Sequence, residues 1–170
     1  MMDAMEAIFT RRSIRHYTQE PVPDELLELI LRAGMAAPSA KNEQPWQFIV
    51  ISERSILDAI PQFHPYAEML HEAGLAVVVC GDLHLETSKG RWSQDCSAAI
   101  QNILLAAHAL GLGAVWVALY PDKDREEKIH ALLRLPDHVI PLAVVPLGYP
   151  AEKKSRSDRF DRSRIHENRW

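Results

Sequence analysis

Cysteine is scarce: the 170-residue chain contains only Cys80 and Cys96. Two thiols are too few for the disulfide framework of a small secreted domain. Cys80 ends an apolar run, where a buried and inert thiol is the usual finding. Cys96 follows the expected start of a helix, a position that can lower a thiol pKa, but the sequence offers no base beside it. We therefore expect structural roles for both thiols.

Long apolar runs are also absent. No segment approaches the ~20 uninterrupted apolar residues that span a membrane. Residues 1–9 include Asp3 and Glu6 and hold no long apolar stretch, so we expect no signal peptide. The formal net charge of −4 argues against nucleic acid as the main partner. These absences predict a cytoplasmic protein that has neither a membrane nor a nucleic acid as its partner.

Several chemistry-bearing motifs are missing. Neither G-x-G-x-x-G nor G-x-x-x-x-G-K-[ST] occurs, and Gly111 and Gly113 form only a fragment of the first motif. A Rossmann dinucleotide site and a P-loop are thereby excluded. The eight histidines form no H-x-x-x-H pair and there is no C-x-x-C, so we expect no metal. Since G-x-S-x-G is absent too, we identify no catalytic side chain.

The composition is that of an ordinary globular protein, with 47% hydrophobic and 25% charged residues. The length predicts a single domain over residues 1–170. Helical spacing and β-rich runs are mixed along the chain, which predicts an α+β fold around a small sheet. We expect helices over residues 2–9, 24–34, from 55, 66–73, 93–110 and 123–133, and strands over 46–51, 75–81, 114–119 and 139–147. Pro141 and Pro146 predict that the last strand is interrupted or lies at an edge.

The helix predicted from a cap at Ser93–Asp95 to Leu110 is apolar nearly all round. Such a helix is enclosed by its own core or by a partner subunit. The segment 151–170, here called the arm, carries seven basic and four acidic residues, with Phe160, Ile165 and Trp170 as scattered apolar anchors. The arm is either disordered or lies across another surface. An obligate dimer whose arms wrap the partner explains both features.

Positive charge is densest in Arg11-Arg12-Ser13-Ile14-Arg15, here called the arginine segment. Guanidinium groups stay charged and present forked donors that match phosphate oxygens. A solvated patch is the simpler interpretation of a basic run taken alone. The loop 38–46 is a second candidate, because it places Ser39, Asn42 and Gln44 among stiff prolines just before a strand. Such a loop can present amides and hydroxyls to the polar edge of a flat heterocycle.

Four segments, in order, carry a resemblance to a known family. They are the arginine segment, the loop from Ala37 to Trp46, the helix-to-strand run from Asp95 to Trp116, and Gly148-Tyr149-Pro150 with the arm. With these motifs the chain resembles the nitroreductase family of FMN-dependent NAD(P)H oxidoreductases over essentially its full length. The resemblance implies a nitroreductase-like fold with a central mixed, mostly antiparallel sheet of four to five strands flanked by helices. It also implies a homodimer with two equivalent flavin sites at its interface.

By the same resemblance, both subunits of the homodimer would contribute to each FMN site. One subunit would supply Arg11, Arg12, Ser13 and Arg15 to the phosphate, ribityl chain and pyrimidine edge, and the other would supply Pro38, Ser39, Ala40 and Asn42. Arg159 in the arm would complete the phosphate site, with Lys154 and Arg156 as alternatives. The strand end Val117-Ala118-Leu119 would place a backbone amide near the flavin N5. Several relatives carry Glu-Gly where this chain has Ala118-Leu119, so their substrate preference does not transfer.

The implied activity is the reduction of nitroaromatic, quinone or flavin-type acceptors with NAD(P)H, by a two-step hydride exchange through bound FMN. Positive charge from Arg15 or the Lys41 region would stabilise the anionic reduced flavin. The alternatives are a specialised flavin enzyme of the same family, a non-catalytic FMN-binding or storage module, and a structural dimer whose arginine patch holds no ligand. The choice between NADH and NADPH and the physiological acceptor stay open at this point.

Overall fold

A computed structural model describes residues 2–18 and 20–170 of the chain. The strands are β1 (Trp46–Ile51), β2 (Leu75–Asp82), β3 (Gly113–Ala114), β4 (Val117–Ala118) and β5 (Val139–Gly148). The helices are α1 (Ala4–Thr10), α2 (Asp24–Met35), α3 (Arg54–Ala59), α4 (Trp92–Ala109) and α5 (Lys123–Leu133). Short 3-10 turns lie at Ala40–Asn42, Ile60–Gln62, Glu68–His71 and Arg162–Arg164. Among these helices, none is long and apolar enough to cross a bilayer.

The strands form one antiparallel sheet in the order β1, β2, β5, β3, with β4 also paired to β5. The sheet lies between two layers of helices, because β2 buries both of its faces. Val77 and Val79 join the core formed with α2 and α4, whereas Ala76 and Val78 join the core formed with α3 and α5. The prediction of an α+β fold with four to five mostly antiparallel strands is confirmed.

The two prolines of β5 do not place it at an edge, since it lies between β2 and the β3–β4 side of the sheet. The expectation of an edge strand was therefore wrong, whereas the expected interruption of the strand is present. A bulge leaves Leu142 without a partner on β2, next to Pro141. The Leu142 carbonyl instead accepts hydrogen bonds from the amides of Leu119 and Tyr120, at 3.0 and 3.1 Å. A bulge therefore accommodates Pro141, which has no N–H to donate.

The strand predicted over residues 114–119 is divided into β3 and β4. Ala114 pairs with Leu147 and Val117 with Val144, so both pieces share one register against β5. That register places Pro146 opposite Val115. Because proline lacks a backbone N–H, the ladder is broken at this point and the single-strand prediction was wrong in that detail.

Two helix predictions also need correction. The stretch 66–73 forms only the 3-10 turn Glu68–His71 and not an α-helix. At the start of α4, neither Ser93 nor Asp95 is the cap; the Glu86 carboxylate accepts from the amides of Arg91 and Trp92, at 2.8 and 3.0 Å. Asp95 is thus available for a contact outside its own helix.

Gly113 brings β3 into close contact with the arginine segment. A Cβ atom at this position would lie 2.7 Å from Cγ2 and 2.9 Å from Cβ of Ile14, whereas a Cβ on Gly74 would meet nothing nearer than 3.5 Å. We predict that Gly113→Ala lowers the free energy of unfolding by about 1–3 kcal/mol, because overpacking displaces Ile14. Urea denaturation measures this, with Gly74→Ala as the matched control. Equal stability of the two variants would contradict the close contact.

Candidate functional site

The arginine segment leaves α1 in an extended conformation and lies along β3. Ser13 forms a parallel bridge with Ala114, and the amide of Ile14 donates to the carbonyl of Ala114 at 3.0 Å. The backbone of the segment is thereby fixed to the sheet. Arg11 and Arg12 are half-buried and Arg15 is exposed.

The first residues of the arm are tied to this segment. The Glu152 carboxylate accepts from the Arg15 amide at 2.6 Å and pairs with Lys154 Nζ at 3.1 Å. The hydrogen bond from Arg15 is the main reason that the pKa of Glu152 lies below its usual range. Lys154 Nζ also donates to the Ser13 carbonyl at 2.7 Å, and Arg12 Nε donates to the Ser155 carbonyl at 2.9 Å. These bonds bring the two ends of the chain together.

A cleft of about 590 Å³, here called the arginine cleft, opens where the ends meet. Its lining residues come from α1, the arginine segment and the arm: Ile8, Phe9, Arg11, Arg12, Arg156, Ser157, Asp158, Arg159 and Phe160. Burial lowers the pKa of Arg11, and the positive charges of Arg12 and Arg159 lower it further. Arg11 Nε and Arg12 Nη2 are buried without a hydrogen-bond partner among the described residues. The arginine cleft thus holds crowded cations with unsatisfied donors, an environment that an anion would stabilise.

The three candidate cations of the arm have different surroundings. Arg159 and Arg156 both line the arginine cleft, and the Arg156 guanidinium lies 5.1 Å from the centre of the Phe9 ring. Lys154 is engaged by Ser13 and Glu152 and is not among the residues that line this cleft. The geometry therefore favours the two arginines over the lysine for an anion in the cleft.

A second cleft of about 440 Å³, here called the strand-end cleft, lies beside β4. It is lined by Arg15, His64, Pro65, Tyr66, Glu68, Met69, Val115, Trp116, Val117, Ala118 and Arg125. Leu119 is fully buried and its amide donates to Leu142, so it is not available to a ligand. The Ala118 carbonyl points away from β5 and accepts from His64 Nε2 at 2.8 Å. Since the N–H and C=O of one strand residue point to the same side, the Ala118 amide also faces away from β5.

His64 is a site residue that sequence reasoning missed. It is 1% exposed, and its Nδ1 accepts from the Tyr66 amide at 3.3 Å, which assigns the ring proton to Nε2. The ring thus fixes the orientation of the Ala118 peptide. No motif surrounds this histidine in the sequence, and its contact with Ala118 spans 54 residues, so no local signal identifies it.

The loop that contains Ser39, Ala40 and Asn42 is an ordered structure with an unusual backbone. Lys41, Asn42 and Gln44 have φ values of 49°, 57° and 51°, in the left-handed region. Non-glycine residues in this region cost energy that the surroundings must offset, and they cluster at functional sites. Here the Ser39 hydroxyl accepts from the Gln44 amide at 3.0 Å, and the Asn42 side chain accepts from the Gln44 side chain at 2.9 Å.

Contacts with α4 and with the segment before it hold this loop in place. The Ala40 amide donates to Asp95 Oδ1 at 3.0 Å. The Glu43 carboxylate accepts from the Thr87 hydroxyl and from the Ser88 amide, and the Thr87 bond is the main reason that the pKa of Glu43 is lowered. Pro38 is exposed at the start of the loop. The loop is therefore a rigid surface with polar groups facing solvent.

Helix α4 separates the predicted site residues into two groups within one chain. Asp95 contacts the loop near the first turn of α4, whereas His108 Nε2 lies 2.8 Å from the Thr10 hydroxyl, next to Arg11. Thirteen residues of helix span about 20 Å at 1.5 Å per residue. A single chain therefore brings Arg11, Arg12, Ser13, Arg15 and Arg159 together with the strand end, but not with Pro38, Ser39, Ala40 and Asn42.

The two thiols lie outside both clefts. Cys80 and Cys96 are fully buried, and burial raises the pKa of each to about 12. For Cys96, the neighbouring Cys80 and Asp95 raise the pKa further, which outweighs its position near the start of α4. Cys96 Sγ donates to the Cys80 carbonyl at 3.4 Å. The structural role expected for both is consistent with this environment.

The fold and the site define an α+β protein with a cationic cleft at the junction of its chain ends and a backbone-lined cleft at a strand end. The model of the nitroreductase family matches residues 8–73 and 64–149 of the chain. The chain belongs to the nitroreductase family, and the family and fold predictions are confirmed.

Individual relatives cover nearly the whole chain. A Methanothermobacter thermautotrophicus protein, provisionally named an NADH dehydrogenase/NAD(P)H nitroreductase, is 55% identical over 99% of this chain and 88% of its own length. An NAD(P)H-dependent FMN reductase of Bacillus subtilis is 27% identical over 98% of this chain and 73% of its own. A provisionally named nitroreductase of Desulfovibrio desulfuricans, solved in complex with FMN, has a TM-score of 0.85 and 34% identity, covering 100% and 99% of the two chains.

His108 reports on the charge of the arginine cleft. Its pKa is lowered by burial and then by the positive charges of Arg11 and Arg12. An anion in the cleft offsets the field of these arginines, so we predict that inorganic phosphate raises the pKa of His108. Titration of the imidazole proton signals by NMR, with and without phosphate, measures the change. In an Arg12→Ala variant the rise is expected to be smaller, and an unchanged pKa in the wild type at saturating phosphate would contradict the assignment.

Proposed function

We propose that the chain is an FMN-dependent oxidoreductase that uses NAD(P)H to reduce nitroaromatic, quinone or flavin-type acceptors. The predictions of an NAD(P)H-dependent enzyme with FMN as its cofactor are confirmed by its family and by the relatives described above. The single observation that carries the proposal is the set of buried, unsatisfied guanidinium donors in the arginine cleft. The acceptors themselves are proposed from the family resemblance, and a cytoplasmic location stays a prediction.

The residues of the arginine cleft fit the phosphate of FMN. Arg11 Nε and Arg12 Nη2 are donors without partners, and Arg159 adds a third positive charge. From Arg11 to Arg15 an extended chain covers about 13 Å, at 3.3 Å per residue. The arginine segment thereby links the arginine cleft to the strand-end cleft, where Arg15 and Ala118 lie. This arrangement suits a ligand with a phosphate at one end and a flat ring at the other.

Bound FMN supplies the two-electron exchange between NAD(P)H and an acceptor. The chain's own residues bind and orient it. The outward-facing Ala118 amide would be the donor for the flavin N5, since the Leu119 amide is already engaged with Leu142. Arg15, which lines the same cleft, would contribute a positive charge beside the ring and favour an anionic form of the bound cofactor. Tyr66, 71% exposed, and Trp116 offer aromatic surfaces in the same cleft to a flat acceptor.

We further propose that the active unit is a homodimer in which each site is shared. Large apolar side chains are exposed on α1 and at the end of α2: Met5, Ile8, Phe9 and Met35 are each about half exposed. Next to them, an apolar groove of about 370 Å³ runs between α1, α2 and α4. The arm exposes Phe160, Ile165 and Trp170, which find no core within their own chain. A second copy of the chain would cover all three features.

A two-fold axis across α4 explains how the separated groups would meet. In an isologous dimer, two copies of α4 that lie antiparallel bring the Asp95 end of one chain beside the His108 end of the other. The loop with Ser39, Ala40 and Asn42 would then face the arginine segment of the partner. The left-handed backbone of this loop supports the idea that its shape is specified for a ligand.

Replacement of Arg11 tests the cofactor assignment. We predict that Arg11→Ala weakens FMN binding by about 1.5–3 kcal/mol, the usual value of a hydrogen bond to a charged group. Arg32→Ala is the control, because Arg32 forms an exposed pair with Glu28 on α2, at 2.6 Å, and lines neither cleft, so this variant is expected to bind FMN with wild-type affinity. Fluorescence quenching of FMN measures both affinities. Equal affinities in the two variants would reject the phosphate site.

Mixed dimers test whether the sites are shared. We expect neither Arg11→Ala nor Ala40→Phe alone to give a dimer that binds FMN well, since each damages one half of both sites. A mixed dimer, purified through two different tags, then contains one intact site and binds one FMN. Anaerobic addition of NADH should bleach the flavin in that dimer. If the mixed dimer binds no FMN while the wild type binds two, each site lies within one chain.

A further inference from the structure

The far end of the sheet holds a cluster of metal-ligating side chains, separate from both clefts. Asp82, His84 and His138 place a carboxylate oxygen and two imidazole nitrogens within 4.8 Å of one another. The two imidazole rings stack, with centroids 3.8 Å apart and planes inclined by 10°. Asp82 Oδ1 lies 3.9 Å from His138 Nε2. Each of the three side chains is at least partly accessible to solvent.

The backbone of this cluster is fixed by the sheet. Asp82 is the last residue of β2 and pairs with Val139, so His138 lies immediately beside it. The Leu83 amide donates to the His138 carbonyl at 2.9 Å, and the His84 amide donates to Asp82 Oδ1 at 2.9 Å. The three ligand residues are therefore held together by ladder and turn hydrogen bonds, whether or not an ion is bound. Sites on such rigid elements need little reorganisation of the backbone to bind.

We propose that Asp82, His84 and His138 form a binding site for a divalent transition-metal ion, with Zn²⁺ as the best match. Two imidazoles and one carboxylate are a common set for Zn²⁺ and related ions, with water completing the coordination. Ligand atoms around such an ion lie about 3.3–3.5 Å apart for bonds of about 2.1 Å. In the stacked arrangement the lone pairs of the two rings run side by side, so the exposed His84 ring must turn out of the stack for both imidazoles to face one ion.

The ion would also brace the loop near the proposed flavin site. The Asp82 amide donates to the Pro45 carbonyl at 2.8 Å, and the segment after His84 provides the Thr87 and Ser88 donors to Glu43. An ion held by Asp82, His84 and His138 would tie the start of this segment to the residue that precedes β5. The metal site itself does not depend on the proposed function, since its ligands lie outside both clefts.

Titration of the tag-free protein with Zn²⁺ by calorimetry tests the site, with Co²⁺ absorption in the visible range as a spectroscopic check of imidazole ligation. We expect one ion per chain. Removing one imidazole, in His84→Ala or His138→Ala, is expected to weaken binding by more than about tenfold, since even loss of an outer-shell partner costs that much. Asp82→Asn should also weaken binding, while its side-chain oxygen still accepts from the His84 amide and preserves the turn.

His71→Ala is the matched control, because His71 is another accessible histidine with two carboxylate neighbours, Asp58 at 2.9 Å and Glu68 at 3.8 Å. The proposal requires that this variant binds Zn²⁺ as tightly as the wild type does. Circular dichroism shows whether each variant is folded. A folded His84→Ala protein that binds Zn²⁺ with wild-type affinity would overturn the proposal, as would a wild-type protein that binds no ion.

Discussion

Like charges crowd together where the start of the chain meets its arm, and the rest of the site depends on how that repulsion is offset. Arg11, Arg12 and Arg159 lie near one another, with burial and mutual repulsion both lowering the pKa of Arg11. The nearby Glu152 carboxylate is already engaged by the Arg15 amide and by Lys154. Two guanidinium donors nevertheless stay buried and without a partner among the described residues. Such donors are costly to bury, and an anion would satisfy them.

Helix α4 sets the second constraint, because it fixes the distance between the two groups of candidate site residues. Its buried face packs on the sheet, and its ends contact the loop at Ala40 and the end of α1 at Thr10. About 20 Å of helix lies between those contacts. Bringing the two groups to one ligand within a chain would require breaking α4 or unfolding the loop. Association of two chains achieves the same result without altering either element, which is why we favour shared sites.

Much of this architecture follows from the sequence. The nearly continuous apolar run of α4 and the β-rich runs of β1 and β2 predict these three elements closely, and the helix expected over 123–133 coincides with α5. Pro141 and Pro146 suggest from the sequence that β5 could lie at an edge of the sheet. In the structure β5 is internal, because a bulge at Leu142 and a break opposite Val115 accommodate the two prolines. The cap of α4 is also unpredictable from its own residues, as Glu86 reaches it from the preceding segment.

The candidate site, too, is only partly predictable from the sequence. A dense run of arginines is visible in the sequence, but taken alone it is more simply a solvated patch, and the other motifs are needed to favour a phosphate. The amide that Ala118 presents, and the burial of Leu119, depend on strand pairing that the sequence does not specify. His64, and the cluster of Asp82, His84 and His138, combine residues that are distant along the chain or lack a known spacing. Only the folded sheet brings their side chains together, so no motif search identifies them.

The ratio of FMN affinity to riboflavin affinity tests the central claim most directly, because the two ligands differ by the phosphate alone. We predict that the wild-type protein binds FMN far more tightly than riboflavin, and that an Arg11→Ala, Arg12→Ala double variant loses most of this preference while its riboflavin affinity is little changed. If the double variant weakens both ligands by the same factor, the arginines do not hold the phosphate and the account is wrong.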